Sequence, residues 1–233
     1  MIGRPIARRC TIAIIATSLF ASCGTAAAFA QSKPRPRPAP PQSRRVQIGG
    51  YAMFGNINFT AADSFDAITG SPSGVMFGGG ARIGLPLGGL FVDVGAWRYQ
   101  ADGERVFVAD NHEVFKLGIP VTLSVTPIEL SAGWRVRIRR APKLIPYAAG
   151  GLTILKYRET SRFAQADEDV DESFNGYHVN GGVEYKLARW FGVAGEGSWS
   201  TVPDAIGDAG VSKAFNETDL GGTTFRVKIT IGR

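Results

Sequence analysis

The chain has 233 residues, of which 44% are hydrophobic and 30 are glycine. This length allows one domain beside a leader segment and is too short for two ordinary domains. The net charge of +6 arises in residues 1–45, which contain no Asp or Glu, so it does not indicate nucleic-acid binding by the rest of the chain.

Residues 1–30 have the pattern of a secretory signal peptide. An arginine-rich start is followed by an apolar stretch at 12–20 and by a small-residue cleavage site, AFA, at 28–30. Cleavage there predicts an exported mature chain without cysteine, because Cys10 and Cys23 both precede the site. A cut before Cys23 is the alternative, and it would make that cysteine a lipidated residue.

Residues 31–45 form a basic, proline-rich segment without apolar bulk. Such a composition cannot form a packed core and predicts an extended tail or linker. Two interpretations remain open. The segment is either a solvated spacer or a contact for an anionic periplasmic polymer or a partner protein.

Alternation of apolar and polar side chains predicts β-strands through one domain at residues 46–233, because successive side chains of a strand point to opposite faces. In one segment, Tyr177, Val179 and Val183 alternate with His178 and Glu184. The predicted strands are 46–59, 74–85, 90–99, a fourth that includes 119–136, then 144–157, 174–187, 190–200 and 220–232.

The alternation changes phase at Pro127. Apolar residues occupy odd positions from Ile119 to Val125 and even positions from Ile128 to Val136. We expect a β-bulge within one long strand, since an extra residue reverses the faces and proline is tolerated there. A hairpin at 126–127 is the alternative. The first part of the strand is expected to pair with residues 105–109 in a hairpin beyond the membrane.

The polar face of these strands combines charges with Gly, Ala and Ser, which is typical of a narrow lumen. The other face is apolar, with aromatic residues near the strand ends, as at a membrane interface. The predicted interface aromatics are Trp97, Trp134, Tyr147, Tyr157, Tyr177, Tyr185, Trp190 and Trp199.

The predicted connections alternate in length. Long ones at 60–73, 100–113, 158–173 and 201–219 suit outer loops, and short ones at 86–89, 138–143 and 188–189 suit periplasmic turns. The fold class predicted is therefore all-β, an eight-stranded antiparallel up-and-down transmembrane β-barrel in the outer membrane.

Three segments have a familiar form: PYAAGG at 146–151, GYHVNGGVEY at 176–185 and FRVKITI at 225–231. With them the whole domain resembles the eight-stranded outer-membrane barrels of the outer-membrane protein A and opacity type. Those barrels usually end on an aromatic residue, whereas here the alternation ends at Ile231 and is followed by Gly232 and Arg233. We expect outer-membrane lipid and lipopolysaccharide as surroundings, and neither a cofactor nor a nucleic-acid partner.

Charged residues on or near the inward face form the candidate site. A charge buried in a narrow barrel must pair or hold water, because an isolated buried ion costs several kcal/mol. We therefore expect a salt-bridge network that fills the lumen, with an ion gate as the alternative. The predicted members are Arg82, Asp93, Glu129, Arg135, Glu184, Lys186, Glu196, Arg226 and Lys228.

No catalytic or metal site is predicted. His112 and His178 have no Ser or Cys at a recognisable spacing, and the acidic run at 167–172 lacks the glycine of a tight calcium turn. The favoured function is a non-enzymatic barrel that acts in envelope integrity or surface interaction. The alternatives are an exported soluble barrel that binds an apolar ligand, like a lipocalin, a small pore, and a lipid-modifying outer-membrane enzyme.

Overall fold

The structure is a computed structural model that describes residues 46–109, 113–161, 170–208 and 210–232. The predicted signal peptide, the basic tail and His112 lie outside these residues. So does the first half of the acidic run, at 167–169.

Eight antiparallel strands form a closed barrel in sequence order. Strands β1 and β8 close the sheet through a register that runs from Gly49 opposite Gly232 to Phe59 opposite Gly222. The predicted eight-stranded, up-and-down architecture is therefore confirmed. The strands are β1 Gln47–Phe59, β2 Ser73–Gly84, β3 Leu90–Val108, β4 Val114–Arg135, β5 Leu144–Thr160, β6 Val170–Lys186, β7 Phe191–Thr201 and β8 Gly222–Gly232.

The two ends of the barrel differ. The short turns β2–β3, β4–β5 and β6–β7 lie at the same end as the start of β1 and the end of β8, and we call this the periplasmic end. The opposite, outer end carries the long connections. Two of them contain short helices, α1 Ala62–Thr69 and α2 Gly210–Ala214. Among the described residues, none of the helices is both long and apolar enough to cross a membrane.

The outward face of the strands is apolar. Phe225 is 70% exposed and Phe77 is 61% exposed, and Leu152, Val179 and Val227 are exposed by more than half on the same face. Such a band around a barrel is the surface that contacts lipid in outer-membrane barrels.

The lumen has two layers. Polar and charged side chains fill its central and periplasmic parts, and an apolar cluster fills its outer part. Helix α1 closes the apolar cluster, because Phe65 stacks on Phe59 with ring centroids 3.8 Å apart. Members of the outer apolar cluster are Met53, Ile57, Phe59, Ala61, Phe65, Met76, Trp97, Tyr99, Leu123, Val125, Leu155, Val202, Ala205 and Leu220.

The prediction of a bulge at Pro127 was wrong. Strand β4 keeps one register on both sides of this residue, with Ile128 opposite Ala96 and Val125 opposite Tyr99. Odd-numbered side chains of β4 face inward on both sides of Pro127. The apolar phase reverses because the lumen is apolar in its outer part and polar below.

The register shift between β3 and β4 lies elsewhere, between Glu104 and Val106. Strand β3 does not stop near residue 99 but continues to Val108, where it pairs with the start of β4. The hairpin expected at 105–109 is therefore present, as an extension of two barrel strands.

Candidate functional site

Four charged side chains meet in the middle of the lumen, and we call them the central network: Glu129, Glu196, Arg226 and Lys228. Arg226 donates from Nη1 to Glu129 Oε2 at 2.9 Å, and its Nε lies 3.0 Å from Glu196 Oε1. Lys228 Nζ donates to Glu196 Oε2 at 2.7 Å. The side chains of Arg226 and Glu196 are fully buried. Two cations face two anions, so the network is neutral as a whole.

A second group lies nearer the periplasmic end, and we call it the periplasmic network: Arg82, Asp93, Arg135 and Glu184. Arg82 donates from Nε to Asp93 Oδ2 at 2.8 Å, and Arg135 donates from Nη2 to Glu184 Oε2 at 2.5 Å. Arg82 Nη1 also lies 3.9 Å from Glu184 Oε2, which joins the two pairs. This group is again balanced in charge.

Aromatic side chains complete the hydrogen bonding of three carboxylates. Tyr51 donates to Asp93 at 2.5 Å, the indole of Trp97 donates to Glu129 at 2.9 Å, and Tyr147 donates to Glu196 at 2.8 Å. Cations also lie over aromatic rings, with Arg82 4.8 Å from the ring centre of Tyr147. Each of these three carboxylates thus has more than one donor, which buried charges require.

Glycine makes room for these rings. A Cβ atom on Gly95 or Gly80 would lie 2.5 Å from the hydroxyl oxygen of Tyr51, too close for either atom. The inward glycines of β2 and β3 therefore allow Tyr51 on β1 to reach over β2 to Asp93 on β3.

The structure brings eight of the nine predicted lumen residues into these two networks. The ninth, Lys186, is half-buried at the periplasmic end. It belongs to none of the ion pairs among the described residues.

The predicted interface aromatics divide into two groups. Trp134, Tyr177, Tyr185, Trp190 and Trp199 are outward and 43–61% exposed.

For Trp97, Tyr147 and Tyr157 the prediction of an interface position was wrong. Trp97 and Tyr147 are at most 5% exposed and donate to lumen carboxylates, while Tyr157 packs against the outer apolar cluster and donates to Glu159. These three occupy inward positions of their strands. Whether a position is odd or even in its strand, and not the aromatic character of the residue, determines which face of the barrel the side chain is on.

A polar cluster that was not predicted from the sequence surrounds His178. Its Nε2 lies 2.7 Å from the hydroxyl of Ser131, and its Nδ1 lies 2.8 Å from the hydroxyl of Thr153. The Ser–His contact has the distance of a nucleophile and its base, but a threonine stands where a carboxylate would orient the ring. His178 is only 1% exposed. No local signal predicts this cluster, because register alone joins β4, β5 and β6.

Two cavities open at opposite ends of the barrel. One of about 330 Å³ lies at the outer end, where Phe65, Val121 and Leu123 form part of its wall. One of about 60 Å³ lies at the periplasmic end and is lined by Arg82, Arg135 and their neighbours. No side chain of the central network lines either cavity, so this network separates them. No group of three His, Cys, Asp or Glu side chains in the described part of the chain is placed to hold a metal ion.

Comparisons with known proteins agree with this geometry. A family model described as outer membrane protein beta-barrel domain matches residues 16–230. A comparison with curated protein sequences gives no match.

Among solved structures, a major outer membrane protein from Thermus thermophilus is 11% identical with a TM-score of 0.52, over 81% of this chain and 100% of that one. Neisserial surface protein A is 12% identical with a TM-score of 0.49, over 80% and 96% of the two chains. At this identity the likeness to the first shows the fold alone.

The family model, in contrast, spans most of the sequence, and the closed eight-stranded barrel with an apolar outer face fits it. The chain therefore belongs to the outer membrane protein beta-barrel domain family and is a protein of the outer membrane.

Proposed function

We propose that this protein is a non-enzymatic barrel with a closed lumen, which acts in envelope integrity or surface interaction. The observation that carries the proposal is the bridge between Arg226 and Glu129. Arg226 lies on β8 and Glu129 on β4, four strands apart in a closed barrel of eight. Their ion pair at 2.9 Å therefore joins opposite walls.

Opening the lumen would require this pair to separate. Breaking a buried ion pair costs about 3–5 kcal/mol. An open state at about 4 kcal/mol would be populated about once per thousand molecules. Such a barrel supports at most rare, brief currents.

The burial of the polar groups in the lumen supports the proposal that the barrel is not an enzyme. The Ser–His contact in the described part of the chain, Ser131 with His178, lies among side chains that exclude a substrate, since both residues are at most 4% exposed. The lumen carboxylates are held by cations and by aromatic donors.

The proposed surroundings are outer-membrane lipid and, at the outer end, lipopolysaccharide. A contact between the basic tail and an anionic periplasmic polymer or protein stays a prediction, because residues 31–45 lie outside the described residues.

Planar-bilayer recordings test the closed lumen. The wild type should show little conductance. The double variant Arg226→Ala/Glu129→Ala removes the bridge but keeps the pair between Glu196 and Lys228, so it should conduct measurably. Asp171→Asn is the control, because it removes an exposed carboxylate whose partner is Arg158, away from the lumen.

Large, steady, ion-selective currents from the wild type would replace this proposal with a pore. A double variant that is as silent as the wild type would show that other residues close the lumen. For the envelope role, a strain without the protein should become more sensitive to detergent with EDTA, and the Asp171→Asn gene should restore resistance.

A further inference from the structure

Five cations lie in two turns at the periplasmic end of the barrel. Arg137, Arg139, Arg140 and Lys143 belong to the β4–β5 turn, and Arg189 belongs to the β6–β7 turn; we call them the basic rim. All five are exposed. None takes part in an ion pair among the described residues, so their charge is not neutralised by the barrel itself.

The basic rim is held in place by backbone hydrogen bonds. The amide of Ala141 donates to the carbonyl of Ile138 at 3.1 Å, which tightens the β4–β5 turn. The amide of Lys186 donates to the carbonyl of Lys143 at 2.9 Å and joins this turn to the strand that leads into the next one. The two turns therefore present their cations side by side.

Apolar side chains at this end set the level of the basic rim in the membrane. Val136 and Ile138 are 51% and 40% exposed, and they alternate along the chain with Arg137 and Arg139. Trp134 and Trp190 are exposed at the same end, and outward tryptophans are typical of the level of the lipid headgroups. The basic rim thus begins where the lipid-facing surface ends.

Charge is distributed unequally between the ends of the barrel. The described acidic residues nearest the periplasmic end are Asp93 and Glu184, and both are buried in the periplasmic network. Exposed acidic residues gather at the outer end instead, and these are Asp63, Asp66, Asp102, Glu113, Asp171, Glu172, Asp204 and Asp208.

We propose that the basic rim binds the phosphate headgroups of anionic phospholipids in the periplasmic leaflet of the outer membrane. Basic residues next to a membrane surface attract anionic lipid, and the planar guanidinium group matches a phosphate with two parallel hydrogen bonds. A phospholipid suits the position better than a soluble polymer, because the exposed Trp134, Val136 and Ile138 carry the lipid-facing surface up to the β4–β5 turn. The proposal depends on the membrane location of the barrel and not on a closed lumen.

Fluorescence quenching by brominated lipids tests it on the full chain folded into vesicles. Trp134 and Trp190 lie beside the basic rim, so in a Trp199→Phe background, which removes the exposed tryptophan of the outer half, they report which lipid surrounds it. In mixtures, brominated phosphatidylglycerol should quench more strongly than brominated phosphatidylcholine at equal fractions. Both leaflets have the same composition, so the orientation of the barrel does not affect the result.

The variant Arg139→Gln/Arg140→Gln/Lys143→Gln should lower the preference for phosphatidylglycerol at least fivefold, about the effect of one basic residue near an anionic surface. The matched control Lys116→Gln/Lys156→Gln/Lys213→Gln removes the same charge from exposed lysines toward the outer end and should keep the wild-type preference. In 1 M salt the preference should fade, because the attraction between exposed charges extends over only about 3 Å there. Faster gel migration before boiling than after it verifies that each variant is folded.

Equal quenching by the two lipids in the wild type would overturn the proposal, and so would equal losses in the two triple variants. A basic-rim variant that keeps its lipid preference but no longer sediments with peptidoglycan would also overturn it, in favour of a polymer.

Discussion

Glu196 contacts three partners at once, accepting hydrogen bonds from two of them and forming an ion pair with the third. Arg226, Lys228 and Tyr147 all meet its carboxylate inside the lumen. Its negative charge therefore balances cations that have no access to water. A residue of this kind stabilises the barrel chiefly because its loss would strand the partners that it neutralises.

We expect Glu196→Ala to lower the free energy of unfolding by about 3–5 kcal/mol, because Lys228 loses its partner and Arg226 keeps only Glu129. The double variant Glu196→Ala/Lys228→Ala should recover part of that loss, since no lone cation remains. Urea unfolding in vesicles, followed by tryptophan fluorescence, measures both values. Asp171→Ala, which removes a partner of the exposed Arg158, should cost at most about 1 kcal/mol. A loss as small for Glu196→Ala would contradict a buried network.

A single methyl group tests the packing beside Tyr51. In Gly95→Ala the new Cβ would meet the hydroxyl of Tyr51 and displace its hydrogen bond to Asp93. Overpacking of this kind costs roughly 1–3 kcal/mol. Gly195→Ala is the matched control, because a Cβ there meets no atom within 4 Å. The same unfolding experiment compares the two, and equal stabilities would mean that Tyr51 does not occupy the space beside Gly95.

Single residues also show where sequence reasoning succeeds and where it fails. The inward parity of charged residues was enough to predict Glu129 and Arg226, because a charge has no other favourable place on a membrane strand. Aromatic residues are ambiguous, since Trp97 and Tyr147 would suit a membrane interface as well as a lumen. They are placed inside only when their positions are compared with a known inward residue of the same strand. Trp97, for example, lies an even number of residues from the inward Asp93 and so shares its face.

At the scale of elements, β4 explains why a change in hydrophobic phase is not always a change in backbone. Its inward side chains pass from Val121, Leu123 and Val125 to Glu129 and Ser131 without a break in register. The sequence of one strand cannot distinguish this from a bulge. The neighbouring strands and α1 are needed to show that the outer lumen is apolar.

Helix α1 was not predicted, because residues 60–73 have the composition of a polar loop. Contacts with residues outside the helix stabilise it. Phe65 packs on Phe59 and Tyr99, and the carboxylate of Glu217 accepts from the amides of Asp63 and Ser64 at 3.0 and 2.9 Å. Glu217 lies in the β7–β8 connection, so it supplies the N-terminal acceptor that the local sequence lacks.

Strand β8 allows a test of the lipid-facing side. An arginine at Val227, near the middle of the strand, should cost about 2–4 kcal/mol of folding free energy, whereas an arginine at Ile231, near its periplasmic end, should cost about 0–1 kcal/mol. Both side chains are exposed by more than half, so neither change disturbs the lumen. Refolding into vesicles at increasing urea gives the two values. Equal tolerance at both depths would mean that this side of β8 does not face lipid.

At the scale of the whole molecule, the fold follows from a pattern that repeats in every strand. Alternation, connection lengths and the even strand count together predict a closed barrel, because lipid excludes an open sheet edge. Which side chains meet across the lumen depends on strand tilt and register, and these are not encoded locally. The pairs of Arg226 with Glu129 and of Ser131 with His178 are of this kind.

The charge of the described barrel is also a property of the whole. The charges in its lumen balance within each network, while its outer end is acidic and its periplasmic end is basic. No single segment reveals this, because the net charge of the sequence is dominated by the tail. The asymmetry becomes visible only when both ends are assigned.

Spin labels on β7 and β8 test the central claim, a barrel with lipid outside and a closed lumen inside. Labels at Phe225, Val227 and Ile229 should be reached by dissolved oxygen from the lipid. Labels at Ser198 and Thr224, which are 6% and 2% exposed, should be immobile and reached neither by oxygen nor by a water-soluble nickel complex. If the nickel complex reached Ser198 and Thr224 freely, the lumen would be an aqueous channel. If it reached the outward labels, the barrel would not lie in a membrane.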